Sequence, residues 1–592
     1  NGTSDLWHFW HDNSDVTLPW NQAQKVAANV VGPGCLIQSS FGSGDHGNFE
    51  VVVPLPGPNG TSDLWHFWHD NSDVTLPWSQ AQKVAGDVHG PGSLIQSDFG
   101  SKDHGNFEAI VPIAGRLQHV WHDNGDVNKP WVFGQTVTEA LTGWGSLSSS
   151  TYGQGHRNFE VLAEECAQSV VGYWHPNQDV DLPWLRHHVI VGDPYPAVEL
   201  RAAKISQLIG EHDREAWDGS GTAPFAPNRT ETNAGIRGTD LGVSFSHQGR
   251  MCFLFGDTWR VNQTADQVNL DSIAFATTMD PRAGLGLRFL PRPPLLDNDI
   301  TQREFEVPID GISLHGDMYV FFSTDHYRVD GWDIMGRTVL ARSRDGQSFH
   351  YLADLSRHKF INVAAQRATI APDQAETTNL PAGTELVWLW GSGRYRSSDV
   401  CLALLPVSGL PTLSGLRYLD VRHGRLRWSD NESDASRLFC SGSVGELSVR
   451  WIEPLQRYVA MYNADNPGGI LLHHAPHPWG PWSQTPIMVF DAWRSSDVQH
   501  GIRGDGIGRF MHAGTHETGG QIIDHVNDDI IPTDGDPWRV GVSGGAYGPY
   551  LIPELAHAEG DAVRIYFTMS TWNPYASMLM TALVPRRVMD SQ

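Results

Sequence analysis

Two aspartates carry the strongest chemical signal in this sequence. Asp240 lies in TDLG and Asp257 in FGDT, near the ends of the segment TDLGVSFSHQGRMCFLFGDTW. The segment reads as two apolar strands around a turn centred on Gln248-Gly249, and the two aspartates are symmetric about that turn. Symmetric residues of an antiparallel hairpin face each other on one side of the sheet, with Cβ atoms ~4.5–5.5 Å apart. Two carboxylates so placed repel, and a chain keeps such a pair where a cation, a metal or catalysis uses it. Repulsion raises one pKa and leaves an acid beside a base. Glycosidic bond hydrolysis needs that arrangement. At ~5 Å the second carboxylate attacks the sugar directly with retention, and at ~6.5–9.5 Å it activates water with inversion. Cross-strand register favours the shorter spacing. Asp257 follows the apolar run MCFLFG and is expected to be the buried acid.

Other polar residues repeat this logic. Glu446 and Asn463 have the same spacing about a turn at Pro454-Leu455, and Tyr547 and Asn573 are symmetric about Gly560. With Tyr550 they are expected to line one cleft with the aspartates, an acidic, amide-bearing cup suited to sugar hydroxyls. No metal or cofactor is expected. His512 and His516 in HAGTH are flanked by glycine, with no HExxH. The clusters around Asn463–Asp465 and Asp12–Asp15 read as Asx turns rather than calcium loops.

The elements that must hold these residues are strands. Beyond an irregular stretch ending near Arg237, strand–turn–strand units recur five times: TDLG…GDTW, IDGISLHGDMYVFFSTD, TELVWLWGSGRY, GELSVRWIEPLQRYVAMYNAD and YGPYLIPELAHAEGDAVRIYFTMSTW. Such units are long enough for loop-decorated propeller blades. SRDGQSF at 343–349 reads as an Asp-box turn between blade strands, and the long segment from about 485 to 540 could reshape the cleft. The motifs TDLG…LFGDTW, GELSVRW…YVAMYNAD, GGAYGPYLIP and YFTMSTWNPY resemble a family of five-bladed propellers, once of unknown function, that includes endo-D-arabinanases. The resemblance covers roughly 203–586. It implies a glycoside hydrolase of furanoside polymers with Asp240 and Asp257 as the catalytic pair.

The front of the chain is repetitive. NGTSDLWHFWHDNSDVTLPW opens at Asn1 and recurs at Asn59, with 46 identities in 58 ungapped positions. Weaker copies align Trp121 with Trp68 and continue around Trp174. Each copy reads as four short strands in the order LWHFWHD, the strand after LPW, SLIQS and GNFEVVV, which is a propeller blade. Three full blades and a partial one do not close a ring. Missing upstream blades or self-association would complete the array. The WHxW-HDN…PW, SLIQS-FG and HGNFEVVV segments resemble the fucose-binding β-propeller lectins over residues 1–192. That resemblance implies sugar pockets between blades, with Trp10/His11/Trp20, Trp68/His69/Trp78 and Trp121/His122/Trp131 as their aromatic and polar parts. The competing reading makes these residues blade packing.

Bulk numbers agree with an all-β carbohydrate-handling protein. The chain has 592 residues and net charge −26, which repels nucleic acid and anionic membranes but not an uncharged glycan. Its 61 Gly and 36 Pro suit many turns, and its 23 Trp suit sheet packing and sugar stacking. No apolar run reaches the ~18 residues of a membrane span. The five Cys form no CxxC pair, and Cys252 and Cys401 in apolar strands read as buried thiols. Five N-x-S/T sequons permit glycosylation. The sequence therefore predicts lectin-like repeats over 1–192, a connection over 193–204 and a five-bladed propeller over 205–592, in a secreted glycoside hydrolase whose partners are polysaccharides or glycoconjugate glycans. A non-catalytic multivalent lectin, or an adhesive or structural protein, is the alternative. The facing acids discriminate, because a pure lectin has no use for them.

Overall fold

The computed structural model describes residues 4–590, apart from 12, 13, 16, 43–46, 59, 60, 74, 101–103, 114, 139, 140, 154, 155, 166–168, 179, 181, 192–197, 201, 214–223, 264–266, 304, 330, 331, 397, 423, 424, 440, 442, 443, 466, 467, 492–544, 573 and 574. They fall into two units, Asn1–Pro194 and Tyr195–Gln592.

In the first unit the strands are β1 (Ser4–Trp10), β2 (Asn21–Val30), β3 (Cys35–Gln38), β4 (Phe49–Pro56), β5 (Ser62–His69), β6 (Ser79–Ala85), β7 (Ser93–Gly100), β8 (Gly105–Ile113), β9 (Arg116–His122), β10 (Val132–Thr138), β11 (Leu141–Ser149), β12 (Phe159–Glu165), β13 (Ser169–His175) and β14 (Leu185–Val191). They form a two-stranded sheet, β1-β2, and three four-stranded antiparallel sheets, β3-β4-β5-β6, β7-β8-β9-β10 and β11-β12-β13-β14. Sheet and sequence repeat are out of phase. LWHFWHD and the strand after LPW do not open a blade. They form its outer pair, and the inner pair, SLIQS and NFEV, comes from the preceding copy.

The repeated tryptophans lie between sheets. Trp78 packs against His8 of the preceding sheet and His69 of its own, at 5.7 and 5.4 Å. Trp131 does the same with His66 and His122, and Trp184 with His119 and His175. Trp20 lies beside His11, at 5.5 Å, and is 68 % exposed. The HDN motif braces the turn before NFE: His69 donates to Asn71, whose amide donates to the Gly47 carbonyl, and His122, Asn124 and Gly105 repeat this.

The second unit begins with β15 (Ala203–Gln207). The first blade is β16 (Ile236–His247), β17 (Arg250–Arg260), β18 (Leu270–Thr278) and β19 (Gly286–Phe289). The second contains β20 (Leu295–Leu296), β21 (Pro308–Leu314), β22 (Asp317–Thr324), the small hairpin β23 (Tyr327–Val329) and β24 (Trp332–Ile334), then β25 (Arg337–Ser343) and β26 (Ser348–Ser356). The third is β27 (Asn362–Thr369), β28 (Glu385–Ser392), β29 (Val400–Pro406), β30 (Arg417–Arg422) and β31 (Arg425–Ser429). The fourth is β32 (Leu447–Ile452), β33 (Arg457–Asp465), β34 (Gly468–Ala475) and β35 (Ile487–Asp491). The fifth is β36 (Gly545–Leu551), β37 (His557–Glu559), β38 (Ala562–Trp572) and β39 (Ala576–Pro585). The first strands meet in the order β16, β21, β27, β32, β36, and β36 returns to β16, so five sheets close a ring. Residues 203 and 204, expected in the connection, pair with Thr581 and Met580 as part of β15, which completes the fifth sheet beside β39.

Local sequence explains the hairpins. Gln248-Gly249 and His315-Gly316 both adopt positive φ, the two-residue turn that matches strand twist. In SRDGQSF, Asp345 accepts the amides of Gln347 and Ser348, and Phe349 anchors the following strand in the core. Cys252 and Cys401 are buried thiols. Asn228 of one sequon is also buried and donates to the carbonyls of Leu208 and Leu285, so it is a structural amide in this fold. Where the first strands converge, Arg450 and Asp310 form a buried bidentate pair at 2.8 and 2.9 Å. Arg450 also donates to the Ala365 and Ser244 carbonyls, and so ties four blades together. No helix among the described residues is long and apolar enough to cross a membrane.

Candidate active site

The β16–β17 hairpin begins in the expected register. From His247–Arg250 back to Val243–Leu254 the pairing is symmetric about the turn. It then shifts between Leu241 and Val243, and Asp240 pairs with Gly256 rather than Asp257. The direct opposition expected from spacing is therefore corrected. Leu241 at φ 65° and Asp257 at φ 38° insert bulges that re-aim the side chains. The neighbouring blade holds this backbone: Ser570 accepts the Leu241 amide at 2.7 Å, and Ser577 donates to the Leu241 carbonyl at 3.0 Å. Gly256 must lack a side chain, since a Cβ there would lie 3.1 Å from Asp240 Oδ1 and 2.5 Å from Val307 Cγ1.

Both acids are buried in different surroundings. Tyr547 donates to Asp240 Oδ2 at 2.8 Å, and Asp240 Oδ1 is buried with no partner among the described residues. Burial, and to a smaller degree the charge of Glu446, pushes the Asp240 pKa up to about 6, against hydrogen bonds from Tyr547 and Tyr575. Asp257 instead accepts the Phe305 amide, at 3.0 Å to Oδ2 and 3.2 Å to Oδ1.

Two further acids join them that sequence spacing did not identify. Asp271, on β18, accepts Gln302 Nε2 at 3.2 Å and lies close enough to Asp240 and Glu306 to feel their charges. Burial raises its pKa well above the usual carboxylate range, helped by the charges of Asp240 and Glu306. Glu306 is buried and accepts the His326 amide at 2.9 Å. The only sequence signal for Asp271 is an acid at the mouth of an apolar run, LDSIAFA.

Glu446 comes from the fourth blade. Tyr395 donates to its Oε1 at 2.6 Å, and its Oε2 is buried without a partner among the described residues. Asn463 lies opposite, as expected, but its side chain accepts the Glu446 amide at 2.9 Å, and its carbonyl accepts the Gly445 amide. It positions Glu446. Tyr550 is buried with an unpartnered hydroxyl, and the charges of Glu446 and Asp240 help burial keep it protonated. Tyr547 pairs with Ser570, not with position 573, because the turn Pro553–Leu555 offsets β36 from the hairpin centred at Gly560. The structure thus gathers Asp240, Glu446, Tyr547 and Tyr550 near one another. Asn573, His512 and His516 lie outside the described residues. Among the described residues no group of three His, Cys, Asp or Glu side chains is arranged to hold a metal ion.

In the first unit, Trp131, His69 and His122 are buried, and Trp78 packs as they do between sheets. His8 and His66 of the preceding sheets pack edge-on against Trp78 and Trp131, so these two rings contribute to packing between sheets. Trp68 and Trp121 are half-buried, His11 donates to the Leu18 carbonyl, and Trp10 is exposed.

Comparison with known proteins gives one family. Residues 225–581 match the model described as Domain of unknown function (DUF4185). A comparison with curated proteins finds no match. Among solved structures, the GH43_1 enzyme from Xanthomonas citri complexed with xylotriose is 11 % identical, over 60 % of this chain and 91 % of that one, with TM-score 0.30. The α-L-arabinofuranosidase PaAbf62A from Podospora anserina is 10 % identical, over 67 % and 100 %, with TM-score 0.32. The fucose-specific lectin from Aleuria aurantia is 10 % identical, over 67 % and 95 %, with TM-score 0.19. Such distant likenesses carry no functional argument. The family match covers more than half of the chain and includes every acid described above, so the chain belongs to the DUF4185 family.

Proposed function

We propose that the five-bladed ring is a secreted glycoside hydrolase that cleaves furanoside polysaccharides in the manner of an endo-D-arabinanase, and that the repeat unit binds glycan. One observation carries the hydrolase reading: two buried aspartates share one bulged hairpin with separate hydrogen-bond partners, and burial holds one of them, Asp240, with a raised pKa. Asp240, with a pKa near 6 and one oxygen without a partner, suits a general acid. Asp257, which accepts the Phe305 amide, takes the part of base or nucleophile. These roles reverse those expected from the apolar run before Asp257, since both acids are buried and the raised pKa of Asp240 decides between them. Tyr547 orients the acid, and Glu446 and Tyr550 are available to sugar hydroxyls. In the repeat unit, Trp10, Trp20, Trp68 and Trp121 keep accessible surface and are available for sugar stacking.

The test is incubation of the full chain with arabinan and galactofuranan, with product mass analysis and Asp240→Asn as control. Oligosaccharides released by wild type alone support the reading. No product from either polymer overturns the furanoside assignment, and equal product from the variant overturns the role of Asp240.

A further inference from the structure

A second concave site lies at the other end of the first blade. A cavity of about 380 Å³ opens between the first and second blades, lined by His247, Arg250, Phe275, Arg288, Met318 and Arg344 among others. His247 and Asp240 stand seven residues apart on β16, roughly 23 Å at ~3.3 Å per residue, so this cavity is separate from the carboxylate cluster.

Its charge runs against that of the chain, which carries −26 overall. Arg344 is engaged by Asp317 at 3.1 Å. The guanidinium groups of Arg250 and Arg288 have neither an acidic partner nor a hydrogen bond among the described residues. Arg250 instead lies over the Phe275 ring, 4.4 Å from its centroid. The one acid on the wall, Asp345, is occupied by the amides of its own turn. His247 bonds Ser313 at 2.9 Å, and burial lowers its pKa, so the arginines supply the positive charge. Two uncommitted guanidinium forks over an apolar floor fit a ligand with a planar or tetrahedral anion on a C–H-rich body.

We propose that this cavity binds an anionic sugar unit, bearing a uronate carboxylate or a sulfate ester, independently of the carboxylate site. The arginines grip the anion, and Phe289, Leu290 and Pro291, which keep accessible surface, take the sugar's C–H face. An anionic substituent would be repelled from the acid cluster, so a glycan carrying one needs a separate place to be held.

The experiment is direct binding, which does not depend on the hydrolase reading. Titration calorimetry on the full chain at low salt would use three probes: trigalacturonate, a chondroitin sulfate tetrasaccharide and inorganic phosphate. A neutral arabino-oligosaccharide serves as control. Arg250→Ala/Arg288→Ala alters two exposed side chains and leaves the core intact. Binding of either anionic sugar that weakens at least tenfold in the variant, with binding of the neutral control unchanged, is the expected result, and the better-bound sugar identifies the anion. Three outcomes overturn the proposal: no binding of either anionic sugar, equal binding by the variant, or phosphate binding as tightly as the sugars.

Discussion

The hairpins β16–β17 and β32–β33 each carry a polar pair at the same sequence separation, and they use it differently. In β32–β33 the pairing runs without a shift from Ile452–Arg457 to Leu447–Tyr462, so Asn463 meets the Glu446 backbone and fixes one carboxylate. In β16–β17 bulges break the pairing at the functional end, and each aspartate takes separate partners, Tyr547 for Asp240 and Phe305 for Asp257. Regular pairing lets one residue support another, whereas a bulge gives two like charges distinct surroundings. The bulged hairpin is where acid and base can differ.

The largest effect that would break this difference comes from the carboxylates themselves. Asp240→Asn and Asp257→Asn should each lower turnover on the cleaved polymer by ~10²–10⁴, measured as initial rates of reducing-end release. Glu446→Gln should cost less, raising KM more than it lowers kcat, if Glu446 binds sugar rather than reacting.

Gly256→Ala attacks the geometry. Its Cβ would press on Val307 and Asp240, so we expect a loss of about 1–3 kcal/mol in stability together with reduced activity. Urea unfolding with parallel assays would show both.

The electrostatic asymmetry has a sign. The Asp240 pKa, raised from 3.8 to about 6, stabilises the fold fully below the unfolded value, and that stabilisation is lost as pH rises through about 6. Activity that needs the protonated acid should decline over the same range. Asp240→Asn should therefore raise the melting temperature at pH 8 and make it less dependent on pH between about 4 and 7. Scanning calorimetry across that range would contradict the assignment if the variant matched the wild-type slope.

The smallest effects should fall on the regular hairpin and the shared turn. Asn463→Ala removes one hydrogen bond to Glu446, costing about 1 kcal/mol, and Asn463→Asp should restore the contact to the amide. Gln248→Gly relieves a left-handed residue and should change stability by at most ~1 kcal/mol, with activity unchanged.

Much of the fold is legible locally. The apolar runs, the Gln248-Gly249 turn and the five strand–turn–strand units specify blades, because each is settled by neighbouring residues. The bulges are not legible in this way. The Leu241 backbone that permits them is held by Ser570, which lies 329 residues away. Asp271 is not legible either, because its partner is Gln302, 31 residues away on a different stretch of chain, and no hairpin symmetry records that. The repeat period of the first unit gave strands correctly but not their grouping, since a cyclic permutation of the same four strands leaves the period unchanged. For the same reason Trp131 could be read as a pocket wall until its neighbour, His66, was seen to pack against it.

The hydrogen bond from Tyr547 to Asp240 spans 307 residues. At ~5–20 residues per second, a ribosome that has just released Asp240 needs roughly 15–60 s more to make the tyrosine that orients it. Over that interval the bulge has no Ser570 to hold it, and the last sheet, which takes strands from both ends of the ring, has not formed. The carboxylate site thus takes its shape only at the close of synthesis, and a nascent chain cut short before the fifth blade would carry both aspartates without the Tyr547 and Ser570 contacts that hold them.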